Sequence, residues 1–282
     1  MVKAVFVTAQ HGVPRKLDDR QNGLMVEFMR QMMRAMGRPE VACMECYHSM
    51  VWDRDAVLDV VAADTSVEHW SVHAPYGRCF DPSSPDPDIR RGAAAAAADA
   101  IDAAVRIGAQ VVVVHPGADV AYPVSRDERL DHAVDTLGLA ADLAAANGIR
   151  MAVEPMPKSE VGNTLDELLE IVDRLDSPVV GVNFDVNHLF PPEEIPAMIR
   201  RTGSRILSVH VSDQDGEERH WLPFEGDIDW RETLEALGET GYEGPLIYET
   251  HIRGAQTCDD VVSAIVDNYE QLRAACGSTG RF

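Results

Sequence analysis

The sequence predicts a (β/α)8 barrel, the TIM-barrel architecture, as a single domain over residues 1–282. Three observations carry this expectation. Short apolar runs rich in β-branched residues alternate with longer stretches of helical periodicity, roughly 25 to 40 residues apart, and eight such pairs fit the chain. A chain of 282 residues is long for one open sheet and ordinary for one barrel. Six of the expected strands end in His, Asp or Glu. In a barrel the C-terminal ends of all strands share one face, where active sites sit. A doubly wound sheet is the competing architecture. It lacks support, because no G-x-G-x-x-G follows the first strand and no P-loop occurs.

The first strand is expected at residues 2–7, and a helix at 24–36 stops at Gly37, a good C-terminal signal. A strand at 41–47 and a helix at 55–63 follow. The strand at 70–73 ends in HAPYG. The proline-rich stretch DPSSPDPD after it is expected to be an exposed loop bordering a site. The alanine-rich stretch 93–107 reads as a packed helix, since alanine is the best helix former, and it stops at Gly108. Val111 to Val114 is a β-branched strand ending in His115-Pro116-Gly117. A helix at 130–146 places Leu130, Ala133, Val134, Leu137 and Ala141 on one face. The strand at 151–153 ends in Glu154. Thr164 and Glu167 form a capping-box pattern that opens a helix running to Leu175. The strand from 179 ends at Asp185, and a helix is expected at 193–201. The next strand ends at His210. Asp229 caps a helix to about residue 239. The strand at 246–248 leads into Glu249-Thr250-His251, and a final helix covers 259–275.

Composition narrows the class. Hydrophobic residues make up 45% of the chain and the mean hydropathy is −0.16, as expected of a globular protein. No apolar run approaches the roughly 18 residues that span a bilayer. The N-terminus lacks the pattern of a signal peptide, so the cytoplasm is the expected location. The net charge of −22 repels polyanions, and no basic stripe suits nucleic acid. The five cysteines are an odd, scattered set, which favours reduced thiols. Cys43 and Cys46 form a C-x-x-C within a strand. Residues three apart on a strand face opposite sides, so they are expected to be core filler rather than a redox or metal pair.

The strand ends carry the chemistry. His73, His115, Glu154, Asp185, His210 and Glu249 close six strands, and His188 and His220 lie in loops on the same face. Structural caps would also draw on Ser, Thr and Asn. Six strands that end only in His, Glu or Asp instead suit a divalent cation.

These motifs in this order resemble the xylose-isomerase-like barrel superfamily. They are HAPYG, HPG, the strand-end Glu154, Asp185-x-x-His188, His210-x-x-Asp213, His220 with Glu225-Gly226, and Tyr248-Glu249-Thr250. The group includes sugar epimerases, hydroxypyruvate isomerase and endonuclease IV. Resemblance to the epimerase branch implies one divalent ion (Mn, Mg, Co or Zn) on Glu154, Asp185, His210 and Glu249. It implies Glu154 and Glu249 as the acid–base pair, an enediolate route, and His188 as a ligand of a substrate oxygen. His73, His115 and His220 join the expected substrate-binding set. Arg219 is added as a candidate for a substrate phosphate or carboxylate, and Trp221 and Phe224 as packing surfaces for a sugar.

The implied activity is a metal-dependent isomerase or epimerase of a sugar, sugar phosphate or keto acid. Its partner is that small molecule, with no nucleic acid or membrane, and a homo-oligomer is left open. Resemblance to the endonuclease branch implies three zinc ions on His73, His115, Glu154, Asp185, His188, His210, Glu218, His220 and Glu249. The chain has Glu218 where that branch has Asp, Pro155 where it has Asn, and no recognisable DNA-contact loops. A non-catalytic metal- or sugar-binding barrel is the remaining alternative. The stretch 213–220 (DQDGEERH) is expected to be a solvated turn.

Overall fold

The computed structural model describes residues 18–48, 54–158 and 160–276. Among the described residues, seven parallel strands form one nearly closed barrel in sequential order, with helices outside it. The strands are β1 (Cys43–Tyr47), β2 (Glu68–His73), β3 (Val111–Val114), β4 (Arg150–Val153), β5 (Val180–Asp185), β6 (Ile206–Val211) and β7 (Ile247–Tyr248). The helices are α1 (Asp19–Met36), α2 (Arg54–Ala63), α3 (Pro87–Ile107), α4 (Arg126–Ala146), α5 (Leu165–Leu175), α6 (Ile195–Thr202), α7 (Trp230–Glu239) and α8 (Cys258–Cys276). The expected strand at 2–7 lies outside the described residues. No helix among the described residues is long and apolar enough to cross a membrane.

Helix ends explain where the expected boundaries moved. α3 begins six residues before the alanine run, because the Asp86 carboxylate accepts from the Asp88 N–H and Pro87 fills the first turn. α4 starts at Arg126, where the Ser125 hydroxyl accepts from the Glu128 N–H. Thr164 caps α5 through the Glu167 N–H, but the Glu167 carboxylate does not reach back. It accepts instead from the Gly162 N–H and the Arg126 guanidinium, so the capping box is half made. Asp229 caps α7 as expected.

The main core lies between barrel and helices. Outward-facing strand residues such as Val112, Val114, Met151, Val153, Phe184 and Tyr248 pack there against the helices. The alternate residues fill the barrel interior, where Trp70, Val111, Val113, Ala152 and Leu207 form one cluster and Cys43 packs on Ile247 across it. Cys46 belongs to the outer core, so the C-x-x-C does face two ways.

Two irregularities reset this alternation. Pairing of β1 with β2 jumps from Met44↔His69 to Glu45↔Ser71, leaving Trp70 extra. Pairing of β5 with β6 jumps from Val182↔Ile206 to Asn183↔Ser208, leaving Leu207 extra. A bulge re-aims the residues beyond it. Here each puts an apolar side chain into the barrel floor, and the next residues inward are Ser71 and His73, or Ser208 and His210. The Trp70 indole N–H donates to the Ser208 hydroxyl at 3.3 Å, linking the two.

One loop expectation is overturned. The stretch after β2 is not exposed where it starts: Asp81, Ser83 and Ser84 are fully buried. Asp81 accepts from the Ser83 N–H, and the buried Arg129 guanidinium donates to the Ser83 hydroxyl and the Ala118 carbonyl. Polar loop residues can be buried when they find partners, and Arg129 of α4 supplies several of them, its guanidinium also lying 3.8 Å from Asp81 Oδ2.

Gly181 supports the β6 bulge directly. A Cβ there would stand 2.4 Å from the Arg205 carbonyl oxygen and 2.6 Å from Leu207 Cγ. Backbone cannot yield cheaply to such overlap, so Gly181→Ala should destabilise by about 1–3 kcal/mol. Urea unfolding of the two proteins measures it; a loss below about 0.5 kcal/mol would show that the bulge is not tightly packed.

Candidate active site

Strand period places the site residues. On β3, Val111 and Val113 point inward, so His115 does too. Ala152 and then Glu154 follow on β4, Asn183 and Asp185 on β5, Ser208 and His210 on β6, and Ile247 and Glu249 on β7. The Glu154 N–H donates to the Val114 carbonyl and the Glu249 N–H to the Val211 carbonyl, so both remain in the ladder. Glu154, Asp185 and His210 are fully buried, and the Glu249 side chain is 14% exposed.

Four donor atoms converge at this mouth. One atom each from Glu154, Asp185, His210 and Glu249 lies within 4.8 Å of the others. His210 Nδ1 is 2.8 Å from Glu249 Oε2, 3.4 Å from Glu154 Oε1 and 3.8 Å from Asp185 Oδ2. None of these four atoms makes a hydrogen bond of acceptable geometry. They lie close together without a well-formed hydrogen bond among the described residues. Buried polar atoms left unpaired in this way are costly. A divalent cation between them would satisfy all four at once, and the donor set fits one.

Two further donor sets flank the centre. His73, His115 and Glu154 form one, with His73 Nε2 3.1 Å and His115 Nε2 3.4 Å from Glu154 Oε2. His188, Glu218 and His220 form the other. Backbone carbonyls orient three of these rings. His73 Nδ1 lies 2.8 Å from the Ala74 oxygen, His188 Nδ1 3.0 Å from the Pro155 oxygen and His220 Nδ1 3.1 Å from the Glu249 oxygen. A carbonyl only accepts, so each Nδ1 carries a proton and each Nε2 is turned toward the site, where that of His73 meets Glu154 Oε2.

Burial and charge oppose each other throughout. Burial alone would raise the Glu154 carboxyl, but His210, His115 and His188 outweigh it and hold Glu154 well below the usual carboxylate range. Glu249 is held low for the same reason, mainly by His210. For Asp185 burial wins and its carboxyl is raised, although His188 and His210 pull the other way. Burial disfavours charge on His188, yet Asp185, Glu154 and Glu249 raise it to about 10. Glu45, Glu154 and Glu249 similarly raise His210 well above normal. The Glu218 carboxyl falls to about 2, chiefly through His220.

Of the residues expected from sequence, His73, His115, Glu154, Asp185, His188, His210, Glu218, His220 and Glu249 fall in these donor sets, and Arg219, Trp221 and Phe224 do not. Arg219 does not join the donor sets. Its guanidinium binds Asp215 and Glu217 and lies over the Trp221 ring, opposite in role to a free anion receptor. The turn 213–220 is only partly solvated, since Asp213 and Gln214 are buried. Asp213 accepts from the N–H groups of Gln214, Phe224 and Ile228 and from the Trp230 indole, and so shapes the loop over the site. Phe224 sits at φ +73°, a region that favours glycine. Sequence reasoning missed Glu45, buried beside His210, and Tyr76, whose ring lies 4.3 Å from that of His115. A carboxylate inside the apolar run CMECY was the available signal for Glu45.

The chain matches the family described as Xylose isomerase-like TIM barrel over residues 27–274 and belongs to it. It is 32% identical over 204 residues to the uncharacterised protein MJ1311 of Methanocaldococcus jannaschii, covering 70% of this chain and 69% of that protein. It is 29% identical over 178 residues to the D-psicose 3-epimerase of Ruminiclostridium cellulolyticum, covering 61% of this chain and 59% of that one. Among solved structures, a D-tagatose 3-epimerase-like protein superposes with a TM-score of 0.69 at 28% identity, covering 83% of this chain and 90% of that one.

The electrostatics predict a pH effect. His188 has a folded pKa of about 10, above its unfolded value. Its stabilising contribution is therefore complete below pH of about 6.5 and is lost as pH rises toward 10. Metal-free protein should lose thermal stability between pH 6.5 and 9, and Mn²⁺ should flatten that loss by replacing protons as the carboxylates' partner. Thermal melts with and without Mn²⁺ measure both. Equal slopes would contradict the coupling.

Proposed function

We propose that this protein is a metal-dependent sugar isomerase or epimerase that moves a proton at a carbon next to a carbonyl. The observation that carries the reading is the set of four unpartnered, converging donors, two of which are glutamates from opposite sides of the barrel. Glu154 follows β4 and Glu249 follows β7, three strands further round. Glu154, Asp185, His210 and Glu249 would hold the cation. Three carboxylates with one imidazole suit Mn²⁺, Mg²⁺ or Co²⁺, and Zn²⁺ fits as well. The bound cation would polarise the substrate carbonyl and its neighbouring hydroxyl, which makes the adjoining C–H more acidic.

The remaining roles belong to the chain's own side chains. One of Glu154 and Glu249 takes the carbon-bound proton, and the other returns a proton to the opposite face. Glu249, the more exposed, exchanges with solvent more readily. His188 and His220 present Nε2 lone pairs or protons to substrate oxygens on one side, and His73 and His115 do so on the other. Arg219 is not included, because two carboxylates already occupy it. The named activities of the D-psicose and D-tagatose 3-epimerase relatives support a ketose as substrate.

A second reading has one specific observation in its favour. The two flanking donor sets make room for three cations, as a zinc phosphodiesterase of the endonuclease IV type would need. The net charge of −22 counts against a duplex DNA substrate. Metal stoichiometry separates the two readings, one cation per chain for the first and three for the second. Zinc-loaded protein should leave abasic duplex DNA intact at physiological salt; rapid incision would reverse the ranking.

Turnover of an accepted ketose in D₂O tests the proton route. One deuterium per product at the reacting carbon is expected, and Glu249→Gln should lower turnover by about 10²–10⁴-fold. Product without deuterium would indicate a hydride shift and would reduce both glutamates to ligands.

A further inference from the structure

His210 is oriented differently from the other site histidines. Backbone carbonyls hold Nδ1 of His73, His188 and His220, and their Nε2 atoms face the site. His210 is reversed. Its Nδ1 faces the four-donor centre, and its Nε2 meets a carboxylate. Both oxygens of Glu45 approach that nitrogen, Oε1 at 3.2 Å and Oε2 at 3.3 Å. Glu45 lies on β1, across the barrel from β6, and is fully buried.

A buried carboxylate is costly unless something holds it. Among the described residues Glu45 has one other side-chain partner, the Ser71 hydroxyl, which donates to Oε2 at 2.6 Å. Ser71 faces Glu45 because the β1–β2 register jumps at Trp70. The bulge, the serine and the glutamate therefore act together on one nitrogen of one ring.

We propose that Glu45 is a positioning residue for the cation centre. It fixes the proton of His210 on Nε2, leaves the Nδ1 lone pair for the cation, and strengthens that donor as only an anion can. A carboxylate accepting from a metal-bound imidazole raises the ring's basicity, and such partners contribute about 10- to 100-fold to metal affinity. His73, His188 and His220 have neutral carbonyl partners and lack this gain. The Glu154–Asp185–His210–Glu249 centre is thus the tightest of the three donor sets and fills first. The inference rests on the proposed cation site and adds what sets its affinity and order of filling.

The test compares the parent with Glu45→Gln and Glu45→Leu by Mn²⁺ titration, with folding checked by circular dichroism. Glutamine keeps the volume and one acceptor but removes the charge. Leucine removes the acceptor as well. Glu45→Gln should weaken the tightest Mn²⁺ site by about tenfold or more at unchanged stoichiometry, and Glu45→Leu should weaken it further. Long-range ¹H–¹⁵N spectra of Zn²⁺-loaded protein give a readout that packing alone would not move. His210 should be protonated on Nε2 and metal-bound through Nδ1 in the parent and in Glu45→Gln, and should lose that single tautomer in Glu45→Leu. If Glu45→Leu does not fold, the glutamine variant still decides. Parent-like Mn²⁺ affinity in folded Glu45→Gln, or a His210 bound through Nε2, would overturn this inference alone. A parent that binds no Mn²⁺ would overturn it together with the proposed cation site.

Discussion

Buried negative charge at the barrel mouth is the constraint on which the rest of this structure depends. Glu45, Glu154 and Asp185 are fully buried around His210, and Glu249 is nearly so. Two like charges about 4 Å apart repel by about 4 kcal/mol at the effective dielectric of a protein. One imidazolium cannot balance four carboxylates. His188 and His210 are accordingly driven toward their charged forms, His188 to about 10 and His210 well above its ordinary range, while burial lowers His115. Even so, a buried atom of Glu154, Asp185, His210 and Glu249 is left without a hydrogen bond. Added positive charge would relieve such a centre, and a divalent cation adds the most in the least space.

The scaffold concentrates that charge by simple means. Parallel strands alternate their side chains, so one inward series ends in His, Asp or Glu on each of several strands. The bulges at Trp70 and Leu207 send apolar side chains into the floor and bring Ser71, His73, Ser208 and His210 to the upper layers. The floor is apolar and packed, while the mouth is polar. Asp213, with four N–H donors around it, shapes the loop that carries His220 and Phe224 at the rim. Strands thus hold the four candidate donors, and a loop with one well-satisfied carboxylate holds the outer histidine.

Much of this was legible in the sequence. β-branched runs such as VVVV, and helices stopped by Gly37 and Gly108, locate strands and helices within a few residues. The strand-end His, Asp and Glu residues meet in space because all parallel strands present their C-terminal ends to one face. What escaped depended on pairing. The bulges change which residues face inward, and no local pattern specifies them. Glu45 lies mid-strand, so attention to strand ends passes over it, although a carboxylate in a buried run needs a partner somewhere. The segment starting at Asp81 reads as an exposed loop, because polarity reports exposure only when no distant residue such as Arg129 satisfies it. Arg219 reads either as a candidate for a substrate anion or as a surface salt bridge, and the partners that make it the latter, Asp215 and Glu217, are visible only in the folded loop.

The central claim is that Glu154, Asp185, His210 and Glu249 share one cation. Anomalous diffraction from crystals grown with Mn²⁺, collected above the manganese edge, tests it most directly. The account predicts a strong peak about 2.0–2.3 Å from Glu154 Oε1, Asp185 Oδ2, His210 Nδ1 and Glu249 Oε2. No peak among these atoms at saturating Mn²⁺, with His210 Nδ1 hydrogen-bonded directly to Glu249, would contradict it.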